Sequence, residues 1–144
     1  MRHLPISCFA ILTMATQSGC IPVRVVAVPN ATGNVKARNL GVHGAEVFVQ
    51  EWFAGTCKTS RDKATTDSAG NFSVPLRRRW EMSVPGDRVT NWAVCIRHAG
   101  DWYLGYAEVL MDNMPREIQL TCELSTTMAS RTKDNNQNCR SSER

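Results

Sequence analysis

From Gly33 onward, apolar and polar positions alternate with a period of two, in short runs separated by Gly, Asn, Asp and Pro. Side chains of an extended strand point to opposite faces in turn, so this period predicts half-buried strands. The runs place them over Gly33 to Ala37, Ala45 to Phe53, Asn71 to Glu81, Val89 to His98, Trp102 to Met111 and Arg116 to Leu124. Ala45, Val47 and Val49 fall on one face, as do Trp92, Val94 and Ile96, or Ile118, Leu120, Cys122 and Leu124. No stretch carries the helical period of an amphipathic helix. Frequent turn signals between short strands predict an all-β chain, here a single antiparallel β-sandwich of about seven strands.

Turn chemistry sharpens this reading. In Thr66-Asp67-Ser68-Ala69-Gly70-Asn71-Phe72, the Asp67 carboxylate can accept local backbone hydrogen bonds, and Gly70 tolerates a positive φ just before an apolar strand. Ala99-Gly100-Asp101 predicts a hairpin between Ile96 and Trp102.

Upstream the pattern changes. A basic start, Met1-Arg2-His3, precedes an apolar run from Leu4 to Ala15 and the small, polar stretch Thr16-Gln17-Ser18-Gly19. The run is shorter than the ~20 apolar residues that span a bilayer, so residues 1–19 read as an export signal peptide. Ser18-Gly19-Cys20 resembles the lipobox of bacterial lipoproteins, in which the thiol after small residues receives a diacylglyceryl group, although Gln17 stands where Leu is usual. That resemblance implies lipidation of Cys20, and Ile21 in place of Asp implies sorting to the outer membrane. Ordinary secretion, with cleavage near Ala15 or Gly19, is the alternative.

Cysteine arithmetic favours the lipid. Of six cysteines, Cys8 leaves with the signal, and a lipidated Cys20 leaves Cys57, Cys95, Cys122 and Cys139, an even set suited to disulfides in an oxidising compartment. No close Cys-x-x-Cys pair argues for zinc. Three connectivities are open. Cys95 and Cys122 both fall in predicted strands while Cys57 and Cys139 fall in polar surroundings, which favours Cys95 with Cys122 and Cys57 with Cys139. The chain thus divides into the signal, a lipidated tether or edge strand over 20–32, the sandwich over 33–124, and a polar tail over 125–144 that Cys139 would fasten to the body.

One resemblance extends to the folded region. Gly33-Asn34-Val35, Gly44-Ala45-Glu46-Val47-Phe48-Val49 and the Thr66 to Phe72 turn are similar to the carboxypeptidase regulatory-like domains, which have a transthyretin-like, or prealbumin-like, sandwich. The resemblance implies that Gly44 allows close backbone approach, that Asp67 and Gly70 make a turn, and that Phe72 plugs the core. It implies an accessory or binding role and leaves the ligand open.

The 144 residues carry 17 Lys+Arg and 13 Asp+Glu, a weak and dispersed excess that does not suggest nucleic acid. No nucleophile elbow, His-Glu-x-x-His or phosphate loop occurs, so neither an enzyme nor a cofactor is expected. Arg77-Arg78-Arg79-Trp80 is the one charge concentration. Arg77 and Arg79 should share one face of a strand and Arg78 and Trp80 the other. One reading is a charge-protected edge strand; the other makes Arg77, Arg79 and Trp80 a candidate surface for anionic lipid or polysaccharide. On that second reading, removing Arg77 and Arg79 should leave folding intact. The functional expectation is an exported, lipid-anchored envelope protein with a non-catalytic binding or structural module, meeting a membrane and a protein or polysaccharide partner. A freely periplasmic or secreted inhibitor or immunity-type protein is the alternative, and a small hydrolase a more distant one.

Overall fold

The computed structural model describes residues 21–83, 89–111, 113–124 and 137–142, so the signal segment and Cys20 lie outside the described residues. Every regular element among them is a strand: β1 (Ile21–Val28), β2 (Asn30–Ala37), β3 (Leu40–Gly41), β4 (Glu46–Glu51), β5 (Lys63–Thr65), β6 (Asn71–Val74), β7 (Arg77–Ser83), β8 (Thr90–His98), β9 (Asp101–Leu110), β10 (Glu117–Glu123) and β11 (Cys139–Ser141). The all-β expectation therefore holds. The single antiparallel sandwich of about seven strands does not: the strands form a 2-stranded, a 5-stranded and a 4-stranded sheet. One pairing, β10 with β2, is parallel.

Proline accounts for part of this departure. The run read as one strand from Asn71 to Glu81 is divided by Pro75, which has no N–H to give a ladder. Its first half, β6, pairs with β2 through Ala31 and Val74; its second half, β7, pairs with β1 through Val28 and Arg77. Pro29 interrupts the other side of the same ribbon between β1 and β2, and a bulge falls between Val26 and Val28. One long antiparallel ribbon thus changes sheet at two prolines and a bulge, as strands do at the corners of packed sheets. Within the region expected to be a tether or edge strand, Ile21–Val28 forms a strand in the 2-stranded sheet.

The two larger sheets share one apolar core. Ala31, Val35, Phe72, Val74, Ile118 and Leu120 from the 5-stranded sheet meet Val47, Val49, Trp92, Val94 and Ile96 from the 4-stranded one. The faces read from the period-two pattern are the faces that are buried. Trp92 is fully buried with Tyr106 5.5 Å away, centroid to centroid. Truncating such a side chain to Ala typically costs about 3–5 kcal/mol.

Strands β4 and β8 are buried on both faces. Phe48, Gln50, Ala93 and Cys95 point away from the shared core and are nevertheless buried. Residues 52–62 lie over them: Gln50 donates from Nε2 to the Lys58 carbonyl, and the Val49 N–H donates to the Asp62 carbonyl at 2.9 Å. Near-continuous apolar runs such as Trp92-Ala93-Val94-Cys95-Ile96 are the sequence trace of two-sided burial.

Tight turns supply the remaining corners. Arg38 and Asn39 both have positive φ between β2 and β3, as do Ala99 and Gly100 between β8 and β9. Two consecutive positive φ values match the right-handed twist of a two-residue hairpin. At the Thr66 to Phe72 turn, Asp67 accepts at Oδ1 from the N–H groups of Ala69 (2.9 Å) and Asn71 (2.8 Å). These bonds, Asn71 foremost, hold its carboxyl below the usual carboxylate range. Gly70 has φ +84°, and a Cβ there would lie 2.3 Å from the Val35 carbonyl oxygen. Gly44 corrects the implied close approach: it has φ +75°, and a Cβ there would meet nothing within 4 Å.

Candidate functional site: the cysteines, the arginine ribbon and a groove

All four cysteines beyond Cys20 are oxidised, but in pairs other than those favoured by their surroundings in sequence. Cys57 is bonded to Cys95 and Cys122 to Cys139. The alternation of strand faces explains the correction. Cys122 belongs to the core-facing set, whereas Cys95 is one residue out of step with Val94 and Ile96 and points to the opposite side of its sheet. There it meets the covering segment and fastens it through Cys57. Cys122 and Cys139 sit directly opposite each other on β10 and β11, so the second bridge fastens Cys139–Ser141 to the sheet as a strand. The 125–144 region is therefore not wholly a tail. Gly105 of β9 makes room for this bridge, since a Cβ there would lie 2.8 Å from the Cys139 sulfur. Two disulfides belong to an oxidising compartment outside the cytoplasm. Among the described residues no helix is long and apolar enough to cross a membrane, and no cluster of His, Cys, Asp and Glu could hold a metal ion. His43 lies exposed in a turn and His98 at the end of β8.

The arginines alternate as expected, with a different consequence. Arg77 and Arg79 point inward to carboxylates. Arg77 donates from Nε and Nη2 to the two oxygens of Asp62, each at 2.9 Å, and also to Glu51; Arg79 donates to Glu51 and reaches Glu81 at 3.5 Å. Bonding to Asp62 raises the Arg77 pKa above its ordinary value. These side chains tie the ribbon to β4 and to the segment held by Cys57. Trp80 stands on the other face, 71% exposed, beside Arg78. The structure thus does not bring Trp80 together with Arg77 and Arg79 as one surface.

Directly across the ribbon, Arg24 pairs with Trp80 and Pro22 with Met82. Pro22, Arg24, Arg78, Trp80 and Met82 are all exposed, and this outer face carries no acidic residue among the described ones. Sequence reasoning missed Met82, which lies one residue past the run read as a strand, and Arg24, whose place beside Trp80 is set only by the pairing of β1 with β7.

A second feature escaped the sequence altogether. A groove of about 560 Å³ opens between the end of β9 and β10, lined by Tyr106, Glu108, Asn113, Glu117, Gln119 and Ser142 among others. Most of its residues fall within 106–119, but Ser141 and Ser142 join them only through the pairing of β11 with β10, and no local motif announces the groove. On the 4-stranded sheet, Glu46 bonds Lys63 (3.0 Å) and Arg97 (2.8 Å). The Lys63 bond first, then Arg97, lowers the Glu46 pKa. The Arg97 guanidinium lies 5.7 Å from the Phe48 centroid and 5.6 Å from that of Trp102, within cation–π range. This cluster holds the sheet's outer face together.

No protein-family model, curated protein or solved structure matches the chain.

Proposed function

We propose that this is an exported cell-envelope protein, anchored through a lipid on Cys20 at the outer membrane, whose β domain serves as a non-catalytic binding or structural module. One observation carries the reading. The four cysteines downstream of Cys20 close two bridges among themselves, so a mature chain beginning at Cys20 has one thiol left over, and the export-type segment ends at that thiol. Acylation gives it a use.

The resemblance to the carboxypeptidase regulatory-like, transthyretin-like domains forms part of this reading. Its three segments lie together: Gly33 pairs with Phe72 and Asn34 with Asn71, while the Thr66 hydroxyl accepts from the Ala45 N–H at 2.9 Å and donates to the Val42 carbonyl at 2.6 Å. The groove beside β10, with a phenol, carboxylates, amides and hydroxyls, suits a polysaccharide or peptide partner. Intact mass and detergent partitioning of the protein purified from its own envelope test the anchor. A diacylglyceryl-modified chain starting at Cys20, and its release into the aqueous phase by Cys20→Ser, are expected. An unmodified mass with aqueous partitioning overturns it.

A further inference from the structure

We propose that the outer face of the β1–β7 ribbon, Pro22, Arg24, Arg78, Trp80 and Met82, seats the domain on an anionic lipid surface. The proposal deepens the lipid-anchor reading and rests on it for the identity of the occupant. Three observations carry it.

The face is chemically amphipathic in the way a bilayer interface requires. Trp80 is 71% and Met82 58% exposed, an apolar centre rare on a strand that has solvent on that side. Trp sits well at the headgroup level, because its ring is apolar and its N–H is polar. Arg24 lies directly across from Trp80, and Arg78 precedes it by two positions on the same face. Among the described residues no acid shares their face, because the neighbouring Glu51, Asp62 and Glu81 face the other way, toward Arg77 and Arg79. A face whose described charges are all positive is complementary to a negative surface.

The face also begins at the anchor. Cys20 directly precedes Ile21, the first residue of β1, so even a fully extended chain leaves it at most about 15 Å from Arg24. A lipid on Cys20 would hold Arg24 and Arg78 near the headgroups, where each arginine adds about 1 kcal/mol of attraction that fades within about 8 Å at physiological ionic strength. Finally, the face lies on a 2-stranded sheet, and no third strand is paired to it among the described residues. Acyl chains would hold the protein to the membrane, and the ribbon would fix which side of the domain faces it.

The test separates the ribbon from the anchor by using the full mature chain with Cys20→Ser, which carries no lipid. Binding to phosphatidylglycerol-containing vesicles at millimolar lipid is expected, with little binding to pure phosphatidylcholine and loss in high salt. Arg24→Ser with Arg78→Ser should weaken it by about 30-fold. Arg116→Ser with Arg140→Ser, an equal loss of exposed charge elsewhere, should weaken it far less. Brominated lipid should quench Trp80 fluorescence, so Trp80→Ala removes the quenching and Trp52→Ala, at the other highly exposed Trp, retains it. Equal effects of the two arginine pairs, or no binding to the anionic vesicles, overturn the proposal. So does self-association abolished by Trp80→Ala in the absence of vesicle binding, which makes the face an interface between copies. If the native protein proves unacylated while these vesicle results hold, the anchor fails and the ribbon stands.

Discussion

Arg77 grips Asp62 through two parallel hydrogen bonds, Nε to Oδ1 and Nη2 to Oδ2, each 2.9 Å long, with both side chains mostly shielded from solvent. This pair joins the ribbon to the segment that covers β4 and β8. Shielded, two-pronged ion pairs are worth more than exposed ones. The double-mutant cycle of Arg77→Ala and Asp62→Ala should give a coupling of about 1 kcal/mol or more by urea denaturation. Replacing Arg77 and Arg79 together by Ser should lower the melting temperature, whereas loss of an outward-facing pair would leave it nearly unchanged. Additive single effects and an unchanged melting temperature would remove the pair from the fold's support.

Gly70 and Gly44 separate two reasons for a glycine. Both have positive φ, but a Cβ at Gly70 would lie 2.3 Å from the Val35 carbonyl, whereas at Gly44 it would meet nothing within 4 Å. Gly44→Ala should therefore cost about 1 kcal/mol, the strain of the left-handed backbone alone. Gly70→Ala should cost clearly more, because β2 or the turn must also move. Equal losses of stability would mean that the turn relaxes and the close approach is unimportant.

Which parts of the fold were legible follows from the range of the signal. The core faces Val47 and Val49, Trp92 to Ile96, and Ile118 to Leu124 could be read locally, since alternation within one strand fixes what shares a side. The Asp67 to Gly70 turn was legible for the same reason. Cysteine pairing was not. Strand membership of Cys95 and Cys122 was read correctly, but the relevant variable was which side each faces, and Val94 and Ile96 would have revealed it for Cys95. The parallel β10–β2 pairing and the inward direction of Arg77 depend on partners more than 14 positions away, and no local pattern encodes them.

The two disulfides should differ in what their loss exposes. Cys57–Cys95 spans 38 positions and Cys122–Cys139 spans 17, and loop entropy alone assigns each a stabilisation of about 3–4 kcal/mol. Replacing Cys57 and Cys95 by Ser should in addition uncover Phe48 and Gln50, increasing dye binding and protease cleavage within residues 52–62 before global unfolding. Replacing Cys122 and Cys139 should free β11 and leave that segment protected. Mapping of unreduced peptides is expected to recover only these two pairings, with no free thiol among the four. A peptide joining Cys95 to Cys122 would overturn the assignment.

Acid should destabilise the domain through two carboxylates with different sensitivity to salt. Asp67 is held below its ordinary value of 3.8 by bonds from Asn71 and Ala69, and Glu46 below 4.5 by Lys63 and Arg97. In both cases the folded state binds a proton less readily than the unfolded chain. The stabilisation is thus fully present above about pH 4.5 and is lost as the pH falls through the lowered folded values. Urea midpoints measured downward from about pH 6 should stay level and then fall, and the fall should be shallower in Asp67→Asn and in Glu46→Gln. Glu46 faces two partly exposed cations, so high salt should reduce its share. Asp67 is held by short local hydrogen bonds within one turn, and its share should survive the same salt. If salt removes the acid sensitivity of the wild type entirely, the turn's carboxylate contributes nothing; if Asp67→Asn leaves the profile unchanged at low salt, its bonds do not favour the charged form.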